Sequence, residues 1–259
     1  MARDPRWGRV VECYGEDPFL IAELGVEMVR GIQSQGVAST LKHYAAYSVP
    51  KGGRDGNCRT DPHIAPRELH QMYLYPFRRV IREARPMGVM SSYNDWDGVP
   101  VTASRYFLTD LLRHEYGFDG YVVSDSEAVE YVHTKHAVAE TYEEAVRQVL
   151  EAGLNVRTNF SPPARFLRVK FRLGLFDDPY NDPEEAVAQA GADNHADFVL
   201  DIQRQSLVLL KNEDKILPLD KKKTARVLVA GPLADEDNFM ISRYGPNDLP
   251  TVTVLDGIR

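Results

Sequence analysis

Polar side chains collect where short apolar runs stop. "GVASTL" (36 to 41) runs into Lys42-His43, "MGVMSS" (87 to 92) into Tyr93-Asn94, "GYVVS" (120 to 124) into Asp125, and "GLNV" (153 to 156) carries Asn155. A carboxylate just after a strand commonly caps the next helix, and Asp125 admits that reading. It also admits a chemical one. A carboxylate grouped with Lys42, His43, Tyr93 and Asn94 has the makeup of a nucleophile or general base ringed by hydroxyl-binding donors, which is what a sugar requires. Lys42 and His43 need partners wherever they are buried, with a satisfied core histidine as the plainer alternative. "ARDPRWGRVVECYGEDP" (2 to 18) sets arginines and acids around Trp7. It reads either as a salt-bridged surface loop or as a network holding an arginine fork ready for a hydroxyl or a carboxylate.

The elements that would position these groups alternate. The four apolar runs read as strands, and the segments between them carry helical spacing. In "PRELHQMYLYPFRRVIREA" (66 to 84), Leu69, Met72, Tyr73, Pro76, Phe77, Val80, Ile81 and Ala84 fall on one face, with Pro66 opening the helix and Pro76 expected to kink it. "TYEEAVRQVLEAG" (141 to 153) has an apolar stripe, a Thr141/Glu144 capping box and Gly153 as its stop. Strands and helices in this order imply βαβ units and a parallel sheet, either a barrel or a doubly wound sheet. In both, chemistry sits at the carboxyl ends of the strands. The doubly wound nucleotide-binding class is disfavoured by the lack of any GxGxxG or GxxxxGK loop.

After Gly174 the chain turns acidic and turn-rich. "FVLDIQRQSLVLLKNE" (198 to 213) follows as a helix with Val199, Leu200, Leu207 and Leu210 available for burial. "DKILPLDKKKTA" (214 to 225) is a polar connector, and "RVLVAGP" (226 to 232) opens a new buried strand. The 259 residues are 43% hydrophobic and 27% charged, enough to form a packed core. The net charge of -7 arises from interspersed acids and bases, which argues against nucleic acid as a partner, and Lys221-Lys222-Lys223 reads as a solvated linker. Cys13 and Cys58 show no metal or redox spacing, so no metal or cofactor is expected. No run approaches the ~20 apolar residues of a membrane span, and the start lacks an apolar signal core, leaving the compartment open.

"RDPRWGRVVECYGEDP", "TLKHYAAY", "PRELHQMYLYPF", "VMSSYNDWDGVP", "LLRHEYGFDGYVVSD", "EAGLNV" and "RQSLVLLKNEDKILPL" occur in this order. Together they resemble glycoside hydrolase family 3 over nearly the whole chain. The resemblance implies an α/β fold, a partial TIM-like (β/α) barrel followed by the start of an α/β sandwich domain. It places the barrel with its trailing helix at 1–211, a linker at 212–224 and the first part of the sandwich at 225–259. It also implies a retaining, exo-acting β-glycosidase working by double displacement on β-linked glucosides or xylosides. Asp125 in "VVSD" matches the family's nucleophile. Arg9, Lys42 and His43 match residues that bind the sugar before the scissile bond, and Tyr93 matches a tyrosine beside the nucleophile. A lysine and an arginine near Asp125 would favour its charged form.

Departures from the family pattern set further expectations. The opening "MARDPRWGR" matches a position after the third barrel strand, so the barrel is expected not to close and its apolar edge to pair with another chain, giving a homo-oligomer, or to pack poorly. The general acid/base glutamate of most members falls beyond Arg259, and Glu127 and Glu130 match no acid/base position. Ser126 stands where many members have tryptophan. "TNFSPPARFLRVKFRLGLFD" (158 to 177) is shorter than the family pattern. "KHYAAYSVPKGGRDG" lacks the "KHFPGHG"-like loop of N-acetylglucosaminidases. The expected activity is therefore that of a β-glucosidase, with a β-xylosidase and an inert carbohydrate-binding remnant as alternatives.

Overall fold

The computed structural model describes residues 1–48, 61–158, 164–190, 193–237, 244–245 and 251–259. Cys58 and most of the loop after the Lys42-His43 pair lie outside the described residues. The chain forms two compact units, Met1–Asn181 and Asp182–Arg259.

The first unit is an α/β fold built on a parallel sheet. Strands β1 (Thr40–Tyr44), β2 (Gly88–Ser91) and, after a two-residue antiparallel ribbon of β3 (Asp95–Trp96) and β4 (Val99–Pro100), β5 (Tyr121–Ser124) pair in the order β1-β2-β5. Val156 adds a parallel bridge to Val123 beyond β5. The pairing thus follows chain order without reversal. β1 runs further than the apolar pattern alone indicates. Lys42 and His43 lie inside it rather than after it, where the register slips between Leu41 and Tyr44. Strand spacing is tight, and a Cβ on Gly120 would stand 2.2 Å from the Met87 carbonyl oxygen, so glycine is required there.

Helix α1 (Pro18–Ser34) starts where Asp17 accepts the Phe19 N–H at 2.8 Å, with Pro18 in the first turn. Its Ala22, Gly25, Val26 and Val29 face α2 (Tyr75–Ala84). The expected single helix over 66–84 is broken. A turn at Pro66–Glu68 passes into a wider turn at Leu69–Tyr73, closed by the Leu74 N–H on the Leu69 carbonyl at 2.8 Å, and α2 begins anew with Pro76 near its start. Proline has no N–H to continue the ladder and its ring crowds the preceding turn, so the break precedes it. Helix α3 (Tyr106–Glu115), wound in the wider i→i−5 form that ends with the Tyr116 N–H on the Leu111 carbonyl, buries Phe107, Leu108, Leu111 and Leu112, and α4 (Ala128–Thr134) buries Val129 and Val132. In α5 (Tyr142–Ala152), Thr141 accepts the Glu144 N–H and Gly153 takes a left-handed φ of 114° at the end. The Glu144 carboxylate bonds Arg147 and Gln148. Helix α6 (Ala164–Arg172) follows.

The second unit contains α7 (Pro183–Ala190), α8 (Asp193–Ser206) and α9 (Val254–Ile258). Two expectations are corrected here. Val199, Leu200, Leu207 and Leu210 are exposed rather than buried, and residues 226–232 form no strand. A buried strand needs neighbours to receive its N–H and C=O groups, and no strand is present among the described residues of this unit. Among all described residues, no helix is long and apolar enough to cross a membrane.

Candidate active site

β5 alternates, burying Val122 and Ser124, and delivers Asp125 at its carboxyl end with only 8% of its surface exposed. The carboxylate does not cap α4. The residue before that helix is Glu127, in a left-handed conformation with no side-chain cap, and Asp125 Oδ1 accepts only the N–H of its own neighbour Ser126, at 2.8 Å. Its Oδ2 faces His43 Nε2 at 3.4 Å. The Tyr93 phenol lies near enough to the same carboxylate for the two groups to shift each other's titration.

Burial pushes the Asp125 carboxyl above its ordinary value, against the Ser126 N–H, the Tyr93 hydroxyl and the charges of Arg9 and Lys42, which all pull it down. Desolvation therefore outweighs the cations, the reverse of the balance anticipated from residue types alone. His43 is driven down to about 3 by burial and by the nearby Arg9 and Lys42 charges. Beside Asp125 it is accordingly a neutral imidazole next to a carboxylate and not an ion pair. Burial and the Asp125 anion raise the Tyr93 phenol, keeping it protonated as a donor.

The two cations are held by one acid. Glu12 takes the Arg9 fork through both oxygens at 2.7 Å each, and its Oε2 also accepts from Lys42 Nζ at 3.2 Å. Burial raises Glu12, but the hydrogen bonds from Arg9 and Lys42 together outweigh it and bring the carboxyl down to about 2. Arg9 is buried, whereas the Lys42 side chain is partly open. Rings line the same region: Tyr47 meets Trp7 at 5.5 Å, His43 at 5.5 Å and Tyr93 at 5.8 Å, and Tyr93 meets Tyr131 at 5.6 Å. Such rings suit the apolar faces of a pyranose while the polar groups take its hydroxyls.

All five candidate residues converge here, with Asp125 facing His43, Tyr47 touching both His43 and Tyr93, and Arg9 and Lys42 joined through Glu12. The other polar residues at strand ends do not join them. Asn94 donates to the Asp95 carbonyl, and Asn155 Oδ1 accepts from the Val122 N–H and from Arg113. Ser91 shares a hydrogen bond with Thr102, and Ser92 donates to the Ala45 carbonyl. Glu127 accepts from the Tyr131 hydroxyl, and Glu130 pairs with Arg157. Glu12 and Tyr47 escaped the sequence reading. The i, i+3 spacing of Arg9 and Glu12 is the one local signal for the former. Among the described residues no three His, Cys, Asp or Glu side chains gather as a metal site would need.

The family model described as "Glycosyl hydrolase family 3 N terminal domain" matches residues 1–167. Over its full length the chain is 33% identical to a beta-xylosidase of Formosa agariphila, covering 41% of that protein. It is likewise 32% identical to a periplasmic beta-glucosidase of Salmonella typhimurium, covering 38%. A solved beta-glucosidase involved in saponin metabolism from intestinal bacteria superposes on 99% of this chain and 39% of its own, with a TM-score of 0.85 at 33% identity. The chain spans about two fifths of the length of these relatives.

Proposed function

We propose, from the premise that this chain belongs to glycosyl hydrolase family 3, that it carries the nucleophile side of a retaining β-glycosidase site, with Asp125 as the nucleophile. One observation carries the reading: a buried carboxylate at the end of a parallel strand, faced by a neutral imidazole at 3.4 Å, with a protonated phenol, a lysine and an arginine nearby. A terminal β-glycosyl unit would seat its hydroxyls against Lys42, His43 and the Arg9 region. Asp125 would attack the anomeric carbon, forming a glycosyl ester as the bond to the leaving oxygen breaks, and water would later cleave that ester with net retention. The raised carboxyl favours this role, since a more basic carboxylate is a better nucleophile once ionised. Arg9 and Lys42 counterbalance the anion before attack and release that balance as its charge is lost.

The sheet order supports reading the first unit as an arc of a TIM-like (β/α) barrel, because strands added in chain order without a switch point are what a barrel wall contains. Beta-xylosidases and beta-glucosidases both occur among the relatives, so both sugars belong to the reading. The two differ by one hydroxymethyl group, worth about 1 to 3 kcal/mol of pocket contact.

The test uses 2,4-dinitrophenyl β-glucoside and β-xyloside, whose leaving group departs without protonation. A burst of phenolate that Asp125→Asn abolishes is the expected result, and the ratio of bursts reports the sugar. No release from either substrate, or release that survives Asp125→Asn, would overturn the proposal in favour of a remnant that at most binds carbohydrate. Equal bursts on both would show that the choice between sugars is not made by these residues.

A further inference from the structure

Asp125 and Tyr93 sit at the ends of neighbouring strands, and a second link joins them through the fold. Helix α4 begins three residues after Asp125 and ends at Thr134. The backbone N–H groups of Lys135 and His136 both return to the Tyr131 carbonyl, at 3.0 and 2.7 Å, and turn the chain back. His136 thereby comes to lie against the loop after β2, with 3% of its surface exposed. Its Nε2 stands 2.9 Å from the Tyr93 carbonyl oxygen. A carbonyl can only accept, so Nε2 carries the proton and donates. The other ring nitrogen faces Asp95 Oδ1 at 4.0 Å, and Asp95 is itself 1% exposed. Asp95 lies in β3, which pairs with β4, and the Val101 N–H bonds the Asn94 carbonyl at 3.0 Å, so the loop is also braced from its far side.

The nucleophilic chemistry uses neither His136 nor Asp95. A buried histidine whose Nε2 donates to a backbone carbonyl holds that carbonyl at a fixed distance from its own helix, which makes it a spacer rather than a general polar filler. What it spaces is specific: one end belongs to the segment that Asp125 opens, the other is the backbone of the residue whose hydroxyl faces Asp125.

We propose that His136 is a positioning residue that, by holding the Tyr93 backbone, sets the Tyr93 phenol beside the Asp125 carboxylate. Its effect on rate rests on Asp125 being the nucleophile, but the geometric claim does not, and it can be read without turnover. The experiment follows the carboxyl resonance of Asp125 in chain labelled with carboxyl-13C aspartate, identified as the signal absent from Asp125→Asn. Its titration midpoint is compared among variants. His43, Arg9, Lys42 and the Ser126 N–H face the same carboxylate and are unchanged in every comparison, so they set a common baseline.

Tyr93→Phe is expected to raise the midpoint by about 1 unit, the size of one hydrogen bond to a charged group. His136→Ala is expected to raise it in the same direction, and the double variant no further than Tyr93→Phe alone. His136→Gln, which keeps a donor in the place of Nε2, is expected to stay at the wild-type midpoint. The proposal is overturned if His136→Ala leaves the midpoint unmoved while Tyr93→Phe shifts it, if Tyr93→Phe itself shifts nothing, or if the double variant shifts by the sum of the two. Should His136→Ala not fold, His136→Leu, which keeps the bulk without a donor, decides: a raised midpoint supports the proposal and an unchanged one overturns it. Loss of the phenolate burst reading would leave these midpoints standing.

Discussion

Acidification from pH 7.5 to 5 is expected to cost the fold about 2 kcal/mol through His43 alone. The ring is buried and lies near Arg9 and Lys42, and its pKa falls from 6.5 to about 3. In the unfolded chain the same imidazole takes up a proton as the pH drops below 6.5, while the folded one stays neutral. The unfolded state is therefore favoured progressively through the window from 6.5 down to 3. The contribution of His43 is whole above the unfolded value and lost as the pH falls towards the folded one. At pH 5 the unfolded imidazole is almost fully protonated and the folded one almost not at all, which is worth about 2 kcal/mol of the roughly 5 kcal/mol reached at the foot of the window. The assay is urea unfolding of the wild type and of His43→Gln at both pH values. The wild type should lose about 2 kcal/mol more than the variant, every other titrating group being common to both. Repeating the pair in an Asp125→Asn background removes the neighbouring carboxyl from the difference. Equal losses in wild type and variant, within about 0.5 kcal/mol, would refute the reasoning, because they would mean that the ring accepts a proton in place.

Three other perturbations probe the same framework. Glu12→Gln should destabilise the chain by about 3 kcal/mol at pH 7, from the carboxyl's fall from 4.5 to about 2 and the buried guanidinium left behind. That contribution is present above pH 4.5 and lost as the pH falls towards 2, so unfolding curves of wild type and variant should converge in acid. Asp125→Asn should gain in stability relative to wild type on going from pH 3 to pH 7. A carboxyl raised by burial costs stability only once it ionises, and denaturation at the two pH values measures the change. Thr141→Ala removes the acceptor for the Glu144 N–H at the start of α5 and should cost about 1 kcal/mol, seen as a lower melting temperature.

How much of this was legible in the sequence depended on how local the determining force is. The strands around 40, 89 and 122, and α5 with its Thr141 cap and Gly153 stop, follow from apolar runs and from residues that satisfy their own backbone. Asp125, His43 and Tyr93 were visible because each stands at or near a strand end, where side chains converge. Asn94 and Asn155 stand there too and turn instead to backbone groups, since an amide offers both a donor and an acceptor to close a loop or clamp a strand. The balance at Asp125 could not be read from residue types, because burial is a property of the assembled site. His136 and Asp95 carry no local signal at all, for their partners are forty residues distant or in another loop. The strand expected at 226–232 shows the converse: an apolar run proposes a strand, but only neighbouring strands can make one.

The order in which the sheet is built has a consequence for synthesis. Thr40 pairs with Gly88, Gly88 with Tyr121, and Val123 with Val156, so each strand finds its partner already made and the sheet can be laid down edgewise as the polypeptide leaves the ribosome. Arg9, Glu12 and Lys42 are translated long before Asp125. In the folded chain the two cations share Glu12 as an anion of their own, so their charge is balanced from within the earlier segment and independently of the carboxylate that completes the site.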